Sequence, residues 1–481
     1  MKAIKYLIMG VLLAGFSTTA NAQEEELNAA ISAIKSKAAN VADLAKAAYK
    51  KNKKDPEALM KIARAYFEQK DTAGANQFAH YANEAYKPKN AYAPAWMLLG
   101  DIEAGFGSDG GKAAGYYNQA INFDPKNPDG YKKWAMVYRK ISPTQAEAKL
   151  KDMEKNCPGE DANAMIGHIY MLSYASSKSS KDEKAAYEAF KKADINKFDK
   201  VYLNEFARAS YFQGHYDDAL SACEAGLKIE PRNPTFVRLC MFANYEKKDY
   251  EKAKSYINRY FNETDSAKFS EYDHYYTALI YQELGEKDKM YAEYDKALEL
   301  VNDSSMIKRW DIQKAISDSY LKDLAFDNAI KYYQEMLACK PNLSYDDEEG
   351  LAKIYAKYAE ADEARKPELI SKSIEIYKKL GDKYPVQAIY SAYQCATMNN
   401  KLDPTMAKSL AKPDYQRVVS LLENKADRDK SENTILKYSY HYLMSNAFLI
   451  GKNKAQAKEY AEKILAIDPE YKPAIDIMNL K

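Results

Sequence analysis

LNEFARASYFQGHYDDALSACEAGLKIEP, residues 203–231, reads as two helices joined by a tight turn. Leu203, Phe206, Ala207, Ser210 and Tyr211 recur at helical spacing and give the first half one buried stripe. Gln213-Gly214-His215 breaks it, because glycine takes the backbone angles that reverse a chain at least cost. Tyr216, Ala219, Leu220, Cys223, Gly226 and Leu227 form a second stripe, and Pro231 ends it because proline cannot continue a helix. Neither helix can bury its stripe alone, so the stretch demands neighbours built the same way.

The second helix supplies the test. A small residue, then residues four, three and five positions further on, the last a proline, describes Ala219, Cys223, Gly226 and Pro231. The same spacing joins Ala113 to Pro125, Ala146 to Pro158, Ala329 to Pro341 and Ala457 to Pro469, with Ser373 to Pro385 a close variant. Six of the 16 prolines therefore hold one structural position. The small residue has a physical reason, since two helices cross closely only where a side chain is nearly absent. Trp96, Leu99 and Gly100 add a W-x2-L-G first helix, with Glu103 where a tyrosine would complete the pattern.

Together these motifs resemble the tetratricopeptide repeat, a helix pair with a period of about 34 residues. The resemblance implies an all-α, right-handed superhelical solenoid of antiparallel helix pairs, with about eleven units including divergent ones. The expected order is a signal peptide (1–22), capping helices (23–54), a solenoid (55–385), an irregular helical joint (386–435) and a last unit with its cap (436–481). Pro404 and Pro413 break the period in the joint, and SSKSSK (176–181), AEADEARKPE (359–368) and the glycine-rich GFGSDGG (105–111) read as extended or flexible connections.

The first 22 residues read as an address: Lys2 and Lys5, an apolar run from Tyr6 to Phe16, and Ala20-Asn21-Ala22 as an A-x-A cleavage site. The run is too short for a comfortable membrane span and no second one follows, so the expectation is a periplasmic or secreted protein with no transmembrane segment after cleavage. With no cysteine before Cys157, a lipid-anchor cysteine is not expected. The five cysteines read as buried thiols acting as small hydrophobes, with Cys223 and Cys240 on core stripes.

A balance of 71 Lys+Arg against 69 Asp+Glu gives +2, which argues against nucleic acid as a partner. Catalysis needs a constellation, and the five histidines, at 80, 168, 215, 274 and 441, stand in no ligand or triad spacing. No nucleophile elbow, Walker loop or dinucleotide fingerprint occurs, so neither cofactor nor metal is expected. The acidic run Asp346 to Glu349 falls where a helix should start, where carboxylates complement the helix dipole.

In the repeat family the first helices line the inner groove, where partners bind as extended segments or helices. Residues pointing away from each first-helix stripe are Lys132 and Arg139, then Asn204, Arg208 and Tyr211, then Arg238 and Tyr245, then Tyr272 and Tyr275. Arginine and tyrosine are the types enriched in binding hot spots. The leading expectation is a non-enzymatic protein-binding scaffold of the bacterial envelope. The 42 tyrosines also suit sugar stacking, which keeps a glycan- or peptide-capturing envelope binding protein using tyrosine-rich surfaces as the alternative. An enzyme with an unrecognised site after Pro385 is the third reading.

Overall fold

The computed structural model describes residues 23–265 and 268–480, and every regular element among them is helical. The segment 1–22, read above as an export signal, lies outside the described residues. The chain divides into two compact units, Met1–Ala267 and Lys268–Lys481, a division that falls inside the 55–385 span.

In the first unit a helix over residues 23–36 (α1) and Val41–Asn52 (α2) precede six helix pairs. These are Pro56–Glu68 with Thr72–Ala85 (α3, α4), Ala93–Phe106 with Gly110–Phe123 (α5, α6) and Pro128–Tyr138 with Pro143–Asn156 (α7, α8). Asn163–Ser177 with Ser180–Phe190 (α9, α10), Lys200–Phe212 with Tyr216–Ile229 (α11, α12) and Pro234–Glu246 with Tyr250–Asn258 (α13, α14) complete them. The second unit adds five pairs. They are Glu271–Glu283 with Lys287–Leu300 (α15, α16), Arg309–Lys322 with Phe326–Cys339 (α17, α18) and Tyr345–Ala361 with Lys366–Lys383 (α19, α20). Ala388–Leu402 with Lys412–Leu422 (α21, α22) and Lys430–Leu449 with Lys454–Ile467 (α23, α24) follow, closed by Lys472–Met478 (α25). The described residues thus hold eleven tetratricopeptide-like pairs, six in the first unit and five in the second, the number expected.

The spacing signature marks the core of each second helix. Ala113, Tyr117 and Ala120 are at most 3% exposed, and Ala146, Leu150 and Met153 are fully buried. Each closing proline stands two residues past its helix: Pro125 after Phe123, Pro158 after Asn156, Pro231 after Ile229, Pro341 after Cys339, Pro385 after Lys383 and Pro469 after Ile467. Neighbouring helices, both within a pair and between pairs, come close where rings rest on glycines. A Cβ at Gly100 would lie 2.4 Å from the Tyr117 ring, one at Gly167 2.7 Å from Phe190, and one at Gly226 2.4 Å from Phe236.

Three connections expected to be extended or flexible are short, because the helices run into them. SSKSSK is reduced to Lys178 and Ser179, with Lys178 in the left-handed region at φ 55°. GFGSDGG is reduced to residues 107–109, since the Asp109 carboxylate accepts from the Gly111 and Lys112 amides and starts α6. AEADEARKPE leaves only residues 362–365 between helices. In the acidic run, Ser344 and Asp347 form a reciprocal cap at the start of α19. Residues 386–435 contain α21 and α22; Pro404 follows the end of α21 and Pro413 lies in the first turn of α22, the places where a helix tolerates proline.

The glycine contacts predict opposite effects of one substitution. Gly226→Ala is expected to destabilise the first unit by about 1–3 kcal/mol through overpacking against Phe236. Gly115→Ala, whose Cβ would meet nothing within 4 Å, is expected to stabilise it by up to ~1 kcal/mol through helix propensity. Urea unfolding of the two variants checks both, and equal midpoints would contradict the packing account.

Candidate functional site

In the first unit the first helices form a layer of their own: α3 touches α5, α7 touches α9, and α9 and α13 both touch α11. Charges cross this layer at about one repeat's separation. Lys133 on α7 lies 2.7 Å from both carboxylate oxygens of Asp101 on α5, which also accepts from the Tyr117 hydroxyl at 2.9 Å. His168 Nδ1 on α9 lies 2.8 Å from Glu205 Oε2 on α11.

Most of the groove candidates are already engaged. Lys132 pairs with Glu160 at 2.7 Å, and Arg139 donates to the Met136 carbonyl. The Arg238 guanidinium lies 5.2 Å over the Phe242 ring. Tyr245 packs on Tyr250 with ring centroids 5.7 Å apart. In the second unit Tyr272 packs on Tyr276 at 4.8 Å, and Tyr275 on Tyr294 at 5.9 Å, where burial raises the Tyr275 hydroxyl. Tyr211 is a correction: only 8% exposed, its ring meets Phe212, Tyr216 and Phe242, so it belongs to the buried stripe of α11 and not to a groove.

Asn204 and Arg208 differ. They stand one turn apart on α11 and line a cleft of about 320 Å³ with Lys200, Val201, Glu205, Glu230 and Asn233. Arg208 is exposed and has no ion pair or hydrogen bond among the described residues. The other charged groups of the cleft have partners: Glu205 accepts a hydrogen bond from His168, and Glu230 pairs with Lys200 at 2.7 Å. The wall opposite is the α12–α13 turn, which is held from several sides. Asn233 donates to Glu230 at 2.7 Å, Arg259 donates to the Pro231 carbonyl at 2.6 Å, and Arg232 pairs with Asp265 at 2.9 Å. The cleft therefore presents one unmatched guanidinium and one amide on a braced frame, an arrangement suited to a carboxylate or another acceptor group.

Sequence reading found Asn204 and Arg208 but not the wall. Lys200 and Glu230 lie 30 residues apart and His168 and Glu205 37 apart. Opposite charges near the repeat period were the available signal.

A second cleft, of about 450 Å³, lies between α2 and α4 and is lined by Tyr49, Tyr66, Phe78, Tyr81, Lys46 and Gln77 among others. Tyr49 and Tyr81 pack on one another at 4.2 Å, which occupies one face of each ring. Among the described residues no group of three or more His, Cys, Asp or Glu converges as a metal site, and no helix is long and apolar enough to cross a membrane.

No protein-family model matches the chain, and no curated protein matches it. Solved structures that it resembles include the C-terminal part of a tetratricopeptide repeat-containing protein from Cytophaga hutchinsonii, 20% identical, covering 58% of this chain and 100% of that one, with a TM-score of 0.42. A tetratricopeptide repeat protein from Parabacteroides merdae is 17% identical over 52% of this chain and 94% of its own, with a TM-score of 0.33. The tetratricopeptide repeat domain of P58(IPK) is 15% identical over 82% of this chain and 99% of its own, with a TM-score of 0.22.

The cross-repeat pairs carry a pH dependence. Burial alone would raise the Asp218 carboxyl, but hydrogen bonds from Lys191 at 2.5 Å and Tyr187 at 2.9 Å outweigh it and hold the group below its ordinary 3.8. A carboxyl depressed on folding adds stability above its unfolded pKa and loses it as pH falls through the folded value. Acid unfolding below about pH 4 is therefore expected to show a smaller stability slope in Asp218→Asn than in the wild type, measured by urea titration at stepped pH.

Proposed function

We propose that the chain is a non-enzymatic scaffold that holds a segment of a partner protein against its first-helix layer, anchored in the cleft beside Asn204 and Arg208. The observation that carries this reading is the unmatched guanidinium and amide in a cleft whose other charged groups already have hydrogen-bond or ion-pair partners. The complementary segment carries an acidic side chain or another strong acceptor, since such a group forms charge-assisted hydrogen bonds with the exposed guanidinium. Lys132, Arg139, Arg238 and Tyr245 fall to a secondary role in the first unit, and Tyr272 and Tyr275, in the second unit, are not part of this anchor.

Affinity capture from a native extract tests the reading. Arg208→Glu is expected to lower recovery of the captured partner about tenfold or more, the scale of a hot-spot loss, without shifting the unfolding midpoint. Equal recovery by wild type and variant would overturn it.

The setting proposed is the bacterial cell envelope or its exterior, on the strength of the basic, apolar and A-x-A elements in residues 1–22. The expected outcome of N-terminal sequencing on natively expressed protein is a chain beginning at Gln23, recovered outside the cytoplasmic fraction. Intact Met1 in a cytoplasmic fraction would refute it.

The aromatic cleft between α2 and α4 favours a second reading, in which the chain captures a glycan on Tyr49 and Tyr81 with Lys46 and Gln77 as polar neighbours. Glycan arrays separate the two, because Arg208→Glu leaves glycan capture unchanged.

A further inference from the structure

Three of the five thiols are engaged by oxygen. Cys157 donates to the Pro125 carbonyl at 3.6 Å, Cys339 to the Gln313 side-chain oxygen at 2.9 Å, and Cys395 to the Ile374 carbonyl at 3.7 Å. The remaining two, Cys223 on α12 and Cys240 on α13, are both fully buried, on helices that pack against one another.

The packing sets them near one another. Gly226 brings α12 and α13 together, since a Cβ there would lie 2.4 Å from the Phe236 ring. One turn back from Gly226 is Cys223, and one turn forward from Phe236 is Cys240. Antiparallel helices pair residues in that sense, so the glycine contact and the cysteine pair are successive rungs of one interface.

We propose that Cys223 and Cys240 are a redox-active dithiol that closes to a disulfide bridging α12 and α13. The oxidant is a small-molecule or protein disulfide. A thiolate of the pair attacks one sulfur of that disulfide and expels the other as a thiol; the second cysteine then attacks the mixed disulfide. The Sγ–Sγ bond forms, the pair loses two protons and two electrons, and the oxidant leaves as two thiols. Full burial requires α13 to open locally for the first step, so reaction is slow in the folded protein and fast during folding.

The bridge would close the loop that holds Glu230, Asn233 and Arg238. Its state therefore stiffens or releases the wall of the Arg208 cleft, a consequence that rests on the binding reading above, whereas the bridge itself does not.

Full-length protein is incubated with oxidised glutathione in two arms, one folded and one refolding from denaturant. Each is then denatured, alkylated, digested and mapped by mass spectrometry. The expected product is a crosslinked peptide containing Cys223 and Cys240, lighter by two hydrogens, with Cys157, Cys339 and Cys395 alkylated. Wild type is expected to melt roughly 5 °C higher when oxidised, a rise reversed by dithiothreitol and absent in Cys240→Ala. Cys223 and Cys240 both alkylated in both arms, or either one linked to a different cysteine, would overturn the proposal. Failure of a Cys240→Ala chain to fold leaves the decision to the wild-type map. Partner capture is scored separately, so the loss of either reading is told apart from the loss of the other.

Discussion

Tyr117 lies on Gly100, Phe190 on Gly167 and Phe236 on Gly226, each ring against a helix turn that has no side chain. This contact sets how near two helices come. A ring buries a large apolar face at one crossing, and the missing Cβ lets that face reach the backbone. The small residue of the second-helix signature does the same from the other side, as at Ala113, Ala146 and Ala219, all fully buried. The α5–α6 and α9–α10 pairs close in this way on themselves, and the α12–α13 contact closes one pair on the next.

Such local closure made the fold unusually legible. The period, the turn at Gly214, the small-residue spacing and the prolines all act within about one repeat, so one stretch of chain contains cause and effect together. What could not be read depends on offsets between repeats. Lys133 reaches Asp101 across 32 residues and His168 reaches Glu205 across 37, a difference set by turn lengths that the helices partly consume. Lys178 illustrates the difficulty: a polar run that promised a loop became helix on both sides of a single left-handed residue. Tyr211 fits its stripe by spacing, and only the rings around it show that no face remains for a groove.

The tyrosine excess finds much of its explanation inside the array. Tyr117 reaches Asp101, Tyr170 reaches Glu147, Tyr187 reaches Asp218 and Tyr377 reaches Glu349, so a buried ring ends in a hydroxyl that satisfies a carboxylate. Charge is used the same way. Once these pairs are drawn, the first-helix layer of the first unit offers fewer unmatched groups than its composition suggests, and Arg208 is one of those that remain.

The cross-repeat pairs also bear on how such a gene can change. Repeat arrays grow and shrink by recombination between similar stretches, which inserts or removes whole helix pairs. A second copy of the α5–α6 pair placed beside the first would set one Asp101 next to another copy's surface without its Lys133, leaving a half-buried carboxylate unmatched. Removing the α11–α12 pair would strand His168. Neighbouring pairs are thus keyed to one another, and their order and copy number are constrained by electrostatics even where their shapes are interchangeable.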